Sequence, residues 1–367
     1  SAAPAPVAGG GEGNPEAEPL LAAALASAFH MFFWSGASAR RPVAGTISTL
    51  AGVGPARFSG DGGPAARAEL GDPTGVARDS KGNLYFADCS THRIRRIAKD
   101  GTISTITGTG EGGYSGDNQL AVDARIVGCG NIDIDSKDVL YLPDVSGGRI
   151  RAIDLSTGLI TTIAGTGERG FDGDGGPARN AKFNEPAAVK ADGRGGLYVA
   201  DFGNHRVRKI DLGSGVVTTV AGTGERGFAG DGGPATSAAL QHPANLDLDA
   251  AGNLYIADSH NDRVRRVDAN GVITTVAYDS SGSIRYHGGL AVSPTGEVYV
   301  TSMHWCVGIR RASPGSTELR PVLSCDPSGQ RVGRLGDLAF DGAGGLWFAD
   351  RDFRRISRVS LSASVAE

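Results

Sequence analysis

A repeated phrase constrains the fold of this 367-residue chain more than any other feature of its sequence. The first copy reads DPTGVARDSKGNLYFADCSTHRIRRI, and two further clear copies and three weaker ones follow it. Within each copy, apolar and polar residues alternate over short runs that end at Gly, Asp or Asn, which is typical of β-strands joined by turns. The copies begin at Asp72, Gly128, Glu185, His242, Tyr286 and Arg334.

Each copy predicts three strands, and a further run such as LITTIAG or VVTTVAG supplies a fourth strand before the next copy begins. Four strands per repeat predict the blades of a β-propeller. The last copy has no fourth strand after it, whereas the run TISTLAG at residues 46–52 precedes the first copy. We therefore predict an all-β, six-bladed propeller in which this N-terminal strand completes the last blade and removes two exposed sheet edges.

Two motifs make the pattern specific. N-x-Y-x-A-D followed by N-H-R-x-R, with GDGGPA in the connecting loops at Gly60, Gly173 and Gly230, resembles the NHL-repeat family, in particular bacterial members with such loops. The resemblance covers residues 46–360. It implies a six-bladed propeller that serves as a sensor or a protein- or RNA-binding module, or as a metal-dependent enzyme like the related peptide-amidating lyases. Fold resemblance leaves the function open.

Outside the repeats the chain has one apolar run, which ends near residue 34 and is shorter than the roughly 20 residues that cross a bilayer. We expect no transmembrane span there. Its apolar residues share one face of a helix, which docks on the propeller, contacts a membrane peripherally or plugs the channel. We expect a monomer with four segments: a flexible tail at residues 1–15, the amphipathic helix and its linker at 16–45, the propeller at 46–360 and a C-terminal tail at 361–367.

An Asp that ends the second strand and an Arg that begins the third recur at the same spacing in five blades. Such recurrence indicates a structural ion pair that holds the loop. Blade five breaks the rule, with Ser302 and Val307 in these places, and is either degenerate or adapted to a function. The pairs are Asp88/Arg93, Asp144/Arg149, Asp201/Arg206, Asp258/Arg263 and Asp350/Arg355.

Residues near the start of the six first strands should surround one mouth of the central channel. Their chemistry differs from blade to blade, whereas a purely structural ring would repeat, so this mouth is the predicted site. The predicted ligand-binding residues are Asp72, Asn131, Asn245 and Asp337, with His304 and Trp305 of blade five. The mouth ring is Asp72, Gly128, Glu185, His242, Tyr286 and Arg334, and the upper ring is Gly75, Asn131, Ala188, Asn245, Gly289 and Asp337.

The same mouth has the residues for acid–base catalysis. His242 or His287 would transfer protons near neutral pH, with Glu185 or Asp72 as the partner carboxylate. Arg334 would hold an anionic group, and Tyr286 would donate a hydrogen bond.

A divalent metal, zinc or calcium, is the candidate cofactor. Three imidazoles suit zinc with an open fourth position, and His242, His287 and His304 come from neighbouring blades. The carboxylates of the loop at residues 172–176, DGDGG, are spaced as in part of a calcium site. That loop lacks the downstream Glu of a calcium loop, so we interpret it as a turn.

The four cysteines show no metal-binding spacing. Cys89 and Cys129 of neighbouring blades can pair, as can Cys306 and Cys325 within one blade. Two disulfides would place the protein outside the cytosol.

A net charge of −4 creates no field that would attract a nucleic acid. Two hypotheses remain. The chain is either an extracytoplasmic bacterial propeller that binds a small molecule, peptide or glycan at the channel mouth, or a lyase or hydrolase that works at the same mouth.

Overall fold

The structure is a computed structural model that describes residues 46–128, 130–279, 287–302, 307–324 and 332–361, with only the backbone of His287. The predicted tail and helix at residues 1–45 therefore lie outside the described residues. So do the following predicted residues: Cys129, Tyr286, His304, Trp305, Cys306 and Cys325.

Six antiparallel sheets form a closed ring, because the first strands of all neighbouring sheets contact each other. Strand β1 pairs with the last strand, with Ile47 opposite Val359, and so completes blade six. The six-bladed propeller and its N-terminal closing strand are thereby confirmed. In the described part of the chain, no helix is long and apolar enough to cross a membrane.

The strands are short, and 3₁₀ turns punctuate the connections between them. In chain order the strands are β1 (Ile47–Ala51), β2 (Pro73–Arg78), β3 (Leu84–Asp88), β4 (Arg93–Ile97), β5 (Ile103–Thr107), β6 (Gln119–Leu120), β7 (Asp133–Ile134), β8 (Val139–Asp144), β9 (Arg149–Asp154), β10 (Leu159–Ala164), β11 (Pro186–Ala191), β12 (Gly196–Asp201), β13 (Arg206–Asp211), β14 (Val217–Ala221), β15 (Pro243–Leu248), β16 (Leu254–Asp258), β17 (Arg263–Val267), β18 (Ile273–Tyr278), β19 (His287–Val292), β20 (Val298–Ser302), β21 (Ile309–Ala312), β22 (Arg320–Leu323), β23 (Leu335–Phe340), β24 (Gly345–Asp350) and β25 (Arg355–Ser360). The 3₁₀ turns are Ala65–Arg67, Cys89–Thr91, Ala121–Asp123, Ala178–Asn180, Phe202–Asn204, Ala235–Ser237 and Ser259–Asn261.

Blade two carries a fifth strand, β6, which comes from its connecting loop and pairs with β10. In blades one, three and four the place of Leu120 is taken by Pro64, Pro177 and Pro234, each of which makes an isolated bridge.

The recurring Asp and Arg form the predicted ion pair in blade six, where Arg355 Nη2 lies 3.0 Å from Asp350 Oδ2. In blades one to four the ion-pair prediction is wrong. Asp88, for example, is fully buried and accepts the backbone N–H of Asp72 at 2.9 Å, whereas Arg93 donates to the carbonyl of Thr109 at 2.8 Å. The carboxylate satisfies backbone amides that the loop would otherwise bury unpaired.

A second arginine, two positions further along the third strand, anchors the connecting loop. Arg208 is fully buried, and its Nη2 lies 2.7 Å from Asp174 Oδ1. Asp174 belongs to the DGDGG loop and also accepts the N–H of Thr219 at 3.1 Å, so its carboxylate is engaged in holding the turn. The equivalent pairs are Arg95/Asp61, Arg151/Asp117 and Arg265/Asp231.

Candidate ligand site in the central channel

The six first strands line the channel with an alternating pattern. An apolar residue within each of these strands, or directly before it in blade two, is buried and packs between two blades: Val76, Ile132, Val189, Leu246, Leu290 and Leu338. Successive side chains of a strand point to opposite sides, so the residues before and after each apolar residue lie on the opposite side of the strand from it. Those before it form the upper ring, and those after it form the lower ring, which is Ala77, Asp133, Lys190, Asp247, Ala291 and Ala339.

Polar side chains of the upper ring bridge the channel. Asn131 Nδ2 of blade two donates to the carbonyl of Gly288 in blade five at 2.9 Å. Asn245 Nδ2 of blade four donates to Asp337 Oδ1 of blade six at 2.8 Å. These hydrogen bonds form a roof across the channel. The structure thus brings together Asn131, Asn245 and Asp337, three of the predicted ligand-binding residues.

A cavity of about 360 Å³ lies beneath this roof, and all six lower-ring residues line it. It occupies the half of the channel toward the turns between first and second strands, because its lining continues to Arg78, Leu248 and Phe340 at the ends of their strands. The cavity is therefore deeper in the channel than the mouth at which the sequence predicted a site.

The lower ring has two contrasting sides. Blades two, three and four contribute the charged wall, Asp133, Lys190 and Asp247, and blades five, six and one contribute the alanine wall, Ala291, Ala339 and Ala77. Lys190 Nζ lies 3.0 Å from Asp247 Oδ1 and 3.4 Å from Asp133 Oδ1. One side of the cavity is therefore ionic, whereas the other presents methyl groups.

The carboxylates of the channel also hold neighbouring blades together. Asp133 accepts the N–H of Ala191 at 2.9 Å, and Asp247 accepts that of Val292 at 2.7 Å. Asp337 accepts the N–H of Val76 at 3.2 Å. Each of these bonds joins an even-numbered blade to the next blade around the ring.

The ionic groups of the cavity have shifted proton affinities. Burial lowers the pKa of Lys190, but Asp133 and Asp247 outweigh it, so the net pKa is raised and the ammonium stays charged. Burial raises the pKa of Asp337 to about 7, and hydrogen bonds from Asn245 and Val76 only partly oppose this. Asp337 therefore exchanges its proton near neutral pH.

Three members of the mouth ring form ion pairs, and none of them lines the cavity. Glu185 lies 2.7 Å from Arg169, and Arg334 lies 2.7 Å from Asp352. Asp72 pairs with Arg351 of blade six. Their predicted roles in catalysis and binding stay predictions.

His242 belongs to a cluster of imidazoles on the face of the mouth ring. Its Nδ1 lies 3.0 Å from that of His260, and its backbone N–H donates to His205 Nδ1 at 3.2 Å. The ring of Phe202 lies 4.6 Å from that of His242, centroid to centroid. Burial, and then the neighbouring His260, His205 and Arg226, lower the pKa of His242 to about 4. His242 is therefore neutral at pH 7.

The predicted metal site cannot be traced, because His304 and the side chain of His287 lie outside the described residues. Among the residues that the structure describes, no group of three or more His, Cys, Asp or Glu side chains is arranged to hold a metal ion. Tyr286 and Trp305 also lie outside the described residues.

The charged wall was missed from the sequence, although a signal for it was present. Two positions beyond the upper ring, the six copies read A, D, K, D, A and A. Side chains on one side of a strand recur every two residues. Comparing the blades two positions further along the first strand would therefore have found Asp133, Lys190 and Asp247.

Comparison with known proteins assigns the family. The Teneurin NHL domain model matches residues 43–113 and 211–305, and the NHL repeat model matches residues 183–210. The chain is an NHL-repeat protein. It is 30% identical over 236 residues to Protein SUPPRESSOR OF QUENCHING 1, chloroplastic, of Arabidopsis thaliana, which covers 61% of this chain and 22% of that protein. It is 28% identical over 215 residues to human NHL repeat-containing protein 2, which covers 50% of this chain and 29% of that protein.

The NHL chain thus spans less than a third of the length of these two relatives. Among solved structures, it is similar to a gluconolactonase from Xanthomonas campestris, with a TM-score of 0.57 at 13% identity, covering 86% of this chain and 89% of that one. A streptogramin B lyase matches with a TM-score of 0.55 at 15% identity, covering 88% of this chain and 100% of that one. At these identities the likeness shows the propeller fold alone.

Proposed function

We propose that this NHL propeller binds a small polar molecule in the cavity beneath the channel roof. The observation that supports this proposal is the charged wall of Asp133, Lys190 and Asp247, which lines a cavity of about 360 Å³. Three other blades place alanine at the same position, so the blade itself does not require a charge there. Removing charged groups from water costs free energy, so the charged wall is not explained by the stability of the blades alone. A cavity of about this size fits a small molecule.

A purely structural role accounts for part of the wall. One oxygen of Asp133 and one of Asp247 hold backbone amides of the next blades. Their other oxygens approach Lys190, which lines the cavity. This second set of contacts is the part that a ligand would use.

The test is a ligand-observed NMR screen of small polar fragments against the wild type and a variant with a filled cavity, Ala339→Leu. Ala339 lines the cavity and is only partly buried, so leucine there occupies cavity volume. The matched control is Ala66→Leu, at an exposed alanine of a connecting loop. We expect fragments that bind the wild type and Ala66→Leu and lose binding in Ala339→Leu. The proposal fails if no fragment distinguishes the two variants.

Acid–base catalysis in the same cavity is the second candidate, and Asp337 is the observation that favours it. A carboxyl group whose pKa is about 7 can both accept and donate a proton near neutral pH. Hydrolysis of p-nitrophenyl acetate should then show a pH–rate inflection near 7 that Asp337→Asn abolishes. A wild-type rate equal to that of buffer would exclude this esterase activity.

We also propose that the protein is extracytoplasmic and bacterial, as its GDGGPA loops and cysteines suggest. Cys129, the predicted disulfide partner of Cys89, lies outside the described residues. The predicted pairing with Cys129 stays a prediction. Thiol titration of the denatured protein without reductant should find fewer than four reactive thiols. Four would contradict a location outside the cytosol.

A further inference from the structure

The carboxyl groups of the channel cavity are unequally supplied with cations. The ion pairs at the cavity join Lys190 to Asp247 and Asp133. Asp337 also lines the cavity, but its hydrogen-bond donors in the described structure are neutral, namely the Asn245 amide and the backbone N–H groups of Val76 and Leu338. Lys190 favours the charged form of Asp337 from a distance, while its ion pairs in the described structure are with Asp247 and Asp133.

Arg78 is the other cationic residue of the lining, and it is engaged at the cavity's outer end. Its Nη1 donates to the carbonyl of Asp341 at 2.9 Å, and its guanidinium lies 5.8 Å from the ring of Trp347. The cavity thus has three carboxyl groups against two cationic side chains, and Asp337 is the carboxyl group whose hydrogen-bond donors are neutral.

The alanine wall determines the shape of the space that remains. Ala77, Ala291 and Ala339 stand where the other three blades carry longer, charged side chains. Their methyl groups leave volume on one side of the cavity and line it with apolar surface. A ligand that fills this space meets methyl groups on one side and carboxyl groups on the wall and roof.

We propose that the cavity binds a primary amine with a short aliphatic chain, with its ammonium group at the Asp337 carboxylate and its chain against the alanine wall. This inference rests on the proposed function and specifies its ligand class. An ammonium group supplies a cation in direct contact with Asp337, which Lys190 stabilises only from a distance. Charge-assisted hydrogen bonds are stronger than neutral ones. The alkyl chain removes apolar surface from water.

The inference couples binding to the ionisation of Asp337. An alkylammonium group, like that of lysine, stays protonated between pH 6 and 8, whereas a carboxyl group with a pKa of about 7 loses its proton in that range. The ionised fraction of Asp337 rises about tenfold from pH 6 to pH 8. The affinity for the amine should therefore rise by up to about tenfold over the same range.

The experiment titrates the full chain with n-butylammonium chloride, n-butanol and sodium butyrate, which share a chain length and differ in the charged group. Ligand-observed NMR at pH 6 and pH 8 measures the three dissociation constants. We expect the amine to bind at least tenfold more tightly than the alcohol or the carboxylate at pH 8, and less tightly at pH 6. Binding of the amine should be lost in Ala339→Leu.

Asp337→Asn should weaken amine binding at least tenfold and remove its pH dependence, because asparagine keeps an oxygen for the Val76 N–H but carries no charge. Asp123→Asn, at an exposed carboxylate, is the matched control and should bind like the wild type. The thermal transition of each variant checks its folding, and the wild-type pH dependence stands as a test if Asp337→Asn does not fold.

Each outcome decides the inference. Equal or tighter binding of butanol or butyrate in the cavity would overturn the amine assignment and leave the proposed binding function intact. Amine binding that is independent of pH and of Asp337 would also overturn it. If none of the three probes binds and the fragment screen is empty as well, both the inference and the proposed function fail.

Discussion

Replacing Lys190 with methionine tests whether this lysine is the counter-ion that makes the charged wall of the channel stable. Methionine keeps a similar length and removes the ammonium group. Asp133 and Asp247 then face the cavity without the cation that lies 3.4 and 3.0 Å from them in the wild type. Loss of one partner from a buried ion pair costs about 3–5 kcal/mol. The Lys190 side chain keeps 29% of its surface accessible, so we expect about 2–3 kcal/mol at pH 8.

The loss should depend on pH in a defined direction. Burial already raises the pKa of Asp133 in the wild type, and loss of Lys190 raises it further above the ordinary value of about 3.9 in the folded state. The folded variant then binds more protons than the unfolded chain at pH values above about 4, so its stability falls as the pH rises. Below pH 4 both states are protonated and the penalty disappears. We therefore expect a smaller loss at pH 5 than at pH 8.

Equilibrium unfolding in urea at pH 5 and pH 8, followed by circular dichroism, measures both predictions. The urea concentration at the unfolding midpoint should fall, while the dependence of the unfolding free energy on urea concentration stays constant. Lys137→Met, at an exposed lysine, is the matched control and should change stability by less than about 0.5 kcal/mol. A Lys190→Met loss as small as that of the control, or a loss equal at both pH values, would refute the role of Lys190 as counter-ion.

Two further predictions concern the scaffold. Arg265→Met should destabilise the fold by about 3 kcal/mol, because Arg265 is fully buried and pairs with Asp231 at 2.8 Å. The control, Arg266→Met at the partly exposed next residue, should cost under about 1 kcal/mol. Equal urea unfolding midpoints for the two variants would contradict the anchoring role of Arg265. The pKa of His242 is lowered to about 4, so the unfolded chain binds the extra proton and stability should fall from about pH 6.5 down to pH 4, by about 1–2 kcal/mol after allowance for solvent screening. In His242→Gln the urea unfolding midpoint should fall less between pH 6.5 and pH 4 than in the wild type. The same fall in both proteins would contradict the prediction.

The fold could be predicted because the same strand pattern occurs in six copies along the chain. Alternation of apolar and polar residues gives the strands, and the count of fourth strands requires β1 to pair with blade six, as Ile47 and Val359 do. The extra strand β6 was missed because it is only two residues long and lies within a connecting loop. Its pairing is visible only when that loop lies beside β10.

The side-chain partners were harder to predict than the strands. Asp88 and Arg93 belong to an Asp and Arg pattern that recurs in five blades, which suggested an ion pair, and the two residues do lie opposite each other in the register. The buried carboxylate instead binds loop amides, and a different arginine, Arg95, pairs with Asp61 from a loop 34 residues away. Sequence repetition identifies which residues are structural, but it does not state which of them meet, because loop backbone groups compete for the same side chains.

The candidate site was predicted in part for the same reason. Variation among blades marked Asn131, Asn245 and Asp337, and these three converge in the roof. Variation also marked Glu185 and Arg334, which form ion pairs at the mouth. A difference from the repeat can therefore report either a ligand or a local ion pair, and only the depth of the residue along its strand separates the two.

That depth also explains why the channel carboxylates combine structural and binding roles. A first strand at the centre of a propeller has an inner edge whose N–H groups face the channel, and an unpaired buried N–H is costly. Asp133, Asp247 and Asp337 each satisfy such a group on the next blade with one oxygen. The second oxygen is then held at a fixed place in the cavity, where it meets Lys190 or Asn245. A carboxylate positioned by the backbone in this way is pre-organised for a ligand, so replacing it with alanine would confuse loss of structure with loss of binding. Substitutions at Lys190 and Ala339, neither of which accepts a backbone N–H with its side chain, separate the two effects.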